Sequence, residues 1–184
     1  MRTEVHVHGT AFLCEGVRLS QAEQALRPWL AYLDVDTFAE AHSAEREESG
    51  ITFDTKERTL NICWTGDVGR SFHARLTEAL HNLGQLTEYA SEIEVTYYPE
   101  HGEDEFHQIF VGPSAEAIHE FRRQCVIEDI SGILTRHLDT QAIEQVTALV
   151  NQLFDADLAA KAASGEQAAS STVVPLHPRN KRLH

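Results

Sequence analysis

A chain of 184 residues, with 42% hydrophobic and 24% charged side chains, has enough apolar material for the core of one domain and is not a disordered polypeptide. Asp and Glu number 29 against 15 Lys and Arg, a formal net charge of −14. A body this acidic repels phosphate backbones and anionic lipid surfaces, so direct nucleic-acid and membrane binding are excluded as expectations. Charge is uneven along the chain, because Lys161, Arg179, Lys181 and Arg182 face only Glu166 in the last 24 residues.

No stretch approaches the apolar length of a membrane-spanning helix, and the opening MRTEVHVHGT carries no apolar segment of the secretory type. Cys14, Cys63 and Cys125 are widely spaced and odd in number, which suits a reducing cytoplasm better than a disulfide framework.

In chain order, residues 3–13 predict a first strand, with Val5 and Val7 alternating with Glu4, His6 and His8. Ser20 and Glu23 have capping-box spacing at the start of a helix whose stripe is Leu19, Ala22, Leu26, Trp29, Leu30 and Leu33. Pro28 predicts a kink or break near Arg27. The acidic stretch 34–50 predicts a loop with one helical turn around residues 37–42. Residues 51–54 and 59–65 predict a hairpin, followed by a helix over 72–83. Residues 92–98 and 105–111 predict a second hairpin, followed by a helix over 115–135. Each unit passes from strand to helix through Val-Gly-x-Ser, at Val68–Ser71 and Val111–Ser114, a weak internal repeat in which glycine redirects the chain and serine can cap the helix. A last helix over 140–160, capped by Asp139, has the stripe Ile143, Val146, Leu149, Val150, Leu153 and Phe154.

The order β-α-β-β-α-β-β-α-α predicts an α+β protein. Its sheet is mainly antiparallel and five-stranded, helices pack on one face, and a ferredoxin-like variant is the nearest common architecture. One domain is expected over 1–162, with a disordered C-terminal tail over 163–184.

No motif fixes a reaction. His6 and His8, two apart on a strand, share a face and make a candidate metal pair that needs a third ligand from His101, His107, Cys63 or an acid. Gly66, Gly69, Arg70 and Ser71 form a glycine-bearing turn before a helix, a candidate anion site without P-loop spacing. Glu45, Glu47 and Glu48, and Glu103, Asp104 and Glu105, are acid clusters in expected loops. They form the candidate surface for a basic partner. Cys63 and Cys125 read as small buried hydrophobes, and Trp64, Tyr97 and Tyr98 as packing residues rather than base-stacking platforms.

The leading expectation is therefore a small acidic, cytoplasmic, non-enzymatic regulatory protein. It engages a basic protein, by analogy with the nucleic-acid mimics that phages and mobile elements use as inhibitors, and no cofactor is expected. The alternatives are a metal-binding module or enzyme centred on His6 and His8, and a homo-oligomer pairing through a sheet edge or the last helix.

Overall fold

The computed structural model describes residues 2–164 and 173–176. The elements run β1 (Thr3–Phe12), α1 (Leu19–Ala25), α2 (Arg27–Tyr32), a 3-10 turn (Phe38–Glu40), β2 (Gly50–Asp54), β3 (Thr59–Val68), α3 (Phe72–Gly84), β4 (Ser91–Tyr98), β5 (Glu105–Val111), α4 (Ala115–Leu134), α5 (Thr140–Ser164) and β6 (Val173–Leu176). The fold is α+β, built on an open antiparallel sheet in the order β2-β3-β1-β4-β5-β6. The portion from β1 to β4 has the ferredoxin-like arrangement, and β5 is added outside β4.

Pro28 splits the first helix as expected, with Leu26 lying between α1 and α2. The cap of α1 differs from the reading at Ser20. The N-cap is Arg18, and the Gln21 side chain reaches back to the Arg18 N–H at 2.9 Å. Glu23 is freed for another task, accepting the Phe38 N–H of the 3-10 turn at 3.2 Å. Of the two expected serine caps, Ser114 accepts the Ala117 N–H, whereas Ser71 makes no side-chain cap bond. Asp139 caps α5 by accepting the Ala142 N–H at 2.8 Å.

Alternation along the strands divides the molecule. Val5 and Val7 of β1, Leu60, Ile62 and Trp64 of β3, Ile93 and Val95 of β4, and Ile109 and Val111 of β5 turn to one face and are buried. Helices α1, α2 and α3 cover that face through Ala22, Trp29, Leu30, Phe72, Leu76, Leu80 and Leu83. Trp29 and Trp64 meet edge to face at 5.5 Å, and Phe72 stacks on Trp64 at 5.9 Å. The Trp64 ring lies across the backbone of Gly66, where a Cβ would come within 2.5 Å of it, so this position requires glycine.

The expectation of helices on one face holds for α1 to α3. Helix α4 instead meets the opposite face, where Phe121 packs edge to face on Phe110 and the Arg122 guanidinium lies over the same ring. The reason is local: Phe110 alternates with Ile109 and Val111, so it points away from the core and needs its own cover.

Of residues 163–184, residues 163 and 164 continue α5, and Val173–Leu176 pair with β5 as a sixth strand. The others lie outside the described residues.

Trp29 packs in the aromatic core against Trp64 and Phe72, but its indole N–H has no hydrogen-bond partner among the described residues. Trp29→Ala should cost about 3–5 kcal/mol in urea unfolding, the scale of a large core truncation. Trp29→Phe should cost clearly less, because both variants remove the unpartnered donor but Phe keeps most of the aromatic volume. Equal losses for the two variants would contradict this account of the core.

Candidate functional site

The pleat that buries Val5 and Val7 turns His6 and His8 to the opposite face of the sheet. β1 is a central strand, so each histidine has a neighbour on both sides: His6 lies between Thr65 and Thr96, and His8 between Cys63 and Glu94. The two imidazoles are nearly parallel, with ring centres 6.0 Å apart.

The loop before β2 folds over this face. Its Ala44 N–H donates to the Thr65 carbonyl at 2.8 Å, and the Ser43 hydroxyl accepts the Thr65 N–H at 2.9 Å. Glu48 is thereby carried to His6, with its Oε1 3.2 Å from His6 Nδ1. The Thr65 hydroxyl donates to the same carboxylate oxygen at 3.0 Å and lies 2.9 Å from His6 Nδ1. The Ser43 hydroxyl donates to the other oxygen, Oε2, at 2.5 Å. Both carboxylate oxygens are therefore held by hydroxyls, and the side chain is fixed rather than free in solvent.

Cys63 completes the group. One ligating atom each from His6, Glu48 and Cys63 lies within 4.8 Å of the others, and all three residues are half-buried. This is the only such group of three or more His, Cys, Asp or Glu among the described residues. Burial, then the nearby Glu48 carboxylate, push the Cys63 thiol pKa up, against a lowering hydrogen bond from the Ser49 backbone. Glu48 and Ser43 also form part of the wall of a 430 Å³ cavity whose other side is Phe38, Ala41, Ile51 and Phe53.

The other sequence candidates are dispersed. Glu45 and Glu47 are exposed in the loop that carries Glu48, Glu103 and Asp104 are exposed at the turn between β4 and β5, and Glu105 is exposed at the start of β5. The six acids thus form two groups on different strand connections, and Glu48 is drawn into the histidine cluster. In the glycine-bearing turn, Gly66 lies within β3 under Trp64. The Gly69 N–H donates to the Tyr32 hydroxyl at 2.6 Å, so that amide is engaged internally. Arg70 and Ser71 are exposed beside it.

A second polar cluster, on the helix side of the sheet, has no sequence signature. His73 lies in the first turn of α3, while Tyr97 and His107 lie on β4 and β5. The Tyr97 hydroxyl is 2.9 Å from His73 Nδ1, and the His73 and His107 ring centres are 5.2 Å apart. His107 Nδ1 is buried without a partner among the described residues, and its Nε2 lies 3.8 Å from the Glu105 carboxylate. Burial first, and His107 second, lower the His73 pKa. Burial raises that of Tyr97, helped by Glu105 and Tyr32. Burial thus disfavours the charged form of both His73 and Tyr97.

Because the folded pKa of His73 lies below its unfolded value of about 6.5, the stability it contributes is present above that pH and is lost as pH falls through the folded value. His73→Gln should flatten the fall in melting temperature on acidification below about pH 6.5. An unchanged acid limb would remove His73 as its source.

A family model described as "Family of unknown function (DUF6806)" matches residues 3–155, a span that runs from β1 into α5. No curated protein and no solved structure matches the chain.

Proposed function

The chain belongs to the DUF6806 family, which carries no assigned activity, and from its own side chains we propose that it is a metal-binding module holding a zinc-class divalent ion at His6, Glu48 and Cys63. The observation that carries this reading is the approach of three different ligand types within 4.8 Å on the sheet face opposite the core. An imidazole, a carboxylate and a thiolate form a borderline donor set suited to zinc rather than to calcium or magnesium, which take oxygen ligands. Three protein ligands leave a fourth position for water or a small ligand, the pattern of an exchangeable site. A bound ion would supply Lewis-acid polarisation at that position.

The remaining residues support the ligands. Thr65 and Ser43 orient Glu48 through its two oxygens, the outer-shell role that fixes a ligating carboxylate. Binding displaces the Cys63 proton, because only the thiolate ligates. A cytoplasmic, reducing setting keeps that thiol available. His8, one pleat along, is exposed beside the site rather than within the triad.

After removal of any affinity tag, the protein should bind one zinc per chain by elemental analysis and competition with a chromophoric chelator. His6→Ala and Cys63→Ser should each weaken affinity by about 10-fold to 100-fold or more, since outer-shell losses alone reach that range. His8→Ala should have a smaller effect. Absence of stoichiometric binding, or equal binding by the Cys63→Ser variant, would refute the reading.

A second reading is favoured by a separate observation: Glu45, Glu47, Glu103 and Asp104 are exposed and have no ion-pair partner among the described residues. We propose on that basis that the acidic loops steer a basic protein toward the molecule. Changing Glu103, Asp104 and Glu105 to Gln, Asn and Gln should slow association and reduce its salt dependence, as read by surface plasmon resonance. Association that ignores both salt and these substitutions would end that reading.

A further inference from the structure

Helices α4 and α5 are joined by a short turn and run antiparallel, tied by His119 to the Phe154 carbonyl at 3.1 Å and by Arg123 to Asp155 at 3.4 Å. On α5, Val150 is buried and Phe154 packs on His119. About 100° round the helix from Val150, a different strip faces solvent. It is centred on Leu149 and Leu153, which are 55% and 62% exposed, the latter the most exposed large hydrophobic residue among those described. Ala142, Ala156 and Ala160 continue the strip at seven- and four-residue spacing. Gln145 and Gln152 border it, and no charged side chain falls within it. This uncharged strip runs along a helix of 25 residues, about 37 Å long, in a chain whose side chains are 24% charged.

We propose that this strip is a homodimer interface, in which α5 packs against α5 of a second copy in antiparallel fashion. The charge pattern selects the occupant. A second copy also carries −14 and is repelled wherever acids face acids, so self-association requires a contact from which charge is missing. A basic partner gains nothing from a strip without acids. The geometry fits a two-fold axis: Leu149 and Leu153 are four residues apart, so antiparallel pairing about their midpoint sets Leu149 of each copy against Leu153 of the other. Two such hairpins meeting through α5 form a four-helix bundle, which covers the side that a lone hairpin leaves open. This inference is independent of the metal reading.

Sedimentation equilibrium on the full chain tests it. The parent should sediment at twice its 20.6 kDa at micromolar concentration. Leu149→Gln with Leu153→Gln should weaken the dimer at least about tenfold while far-UV circular dichroism stays unchanged, because both side chains are exposed in the single chain. If the double variant loses helix, Ala156→Glu gives the same test by placing a charge in the contact. A parent that remains monomeric into the high micromolar range, or a dimer unaffected by a folded variant, would overturn the proposal.

Discussion

The central position of β1 constrains most of the structure. Strands β3 and β4 flank it in antiparallel register, and its two-residue period assigns every side chain to one of two environments. Val5 and Val7 are fully buried under the helices, while His6 and His8 are directed to the opposite face. A one-residue slip would place imidazoles in the core and valines in water, so the register that builds the core also builds the polar face. Gly9 shows how tightly the strand is held. Its φ of +155° and the Glu92 carbonyl 2.7 Å from where a Cβ would sit leave room only for glycine.

The opposite face is divided between two occupants. Toward β5, helix α4 covers Phe110. Toward β3, the loop before β2 clasps Thr65 through Ser43 and Ala44 and brings Glu48 to His6. The region between keeps His6, His8 and Cys63 at least partly accessible, with Thr96 buried beside them. Acids surround it, with Glu4, Asp67 and Glu94 on the same face by alternation. A field of this sign favours a cation at the centre, whether an ion or a basic side chain. The local chemistry at His6 suits the ion, because an imidazole, a carboxylate and a thiolate together form a zinc-type donor set.

Much of the fold was legible because the decisive signals are local. The β1 alternation, the two hairpins, the break at Pro28 and the apolar spacing of α5 all depend on residues within a few positions of one another. The cap of α1 was misplaced by two residues because Gln21 can perform the same reach-back as Glu23 from an earlier start. The candidate site was only partly legible. His6 was visible from its spacing with His8, but its companions arrive from 42 and 57 residues away, through a strand order that no local pattern states. Cys63 did carry a usable signal. It alternates with Ile62 and Trp64, so the period that buries those two turns it to the face of His6. Glu48 read as one of several loop acids, because its hydrogen bonds to Ser43 and Thr65 exist only once the loop closes. The His73, Tyr97 and His107 cluster left no trace at all, since a helix and two strands contribute one ring each.

We propose that β1, β3 and the loop before β2 together make one mixed-ligand metal site. X-ray absorption at the zinc edge of the loaded protein measures this directly. The expected first shell is one sulfur scatterer at about 2.3 Å together with nitrogen and oxygen scatterers at about 2.0–2.2 Å, with the sulfur shell lost in Cys63→Ser. A first shell of nitrogen and oxygen alone in the parent would contradict it.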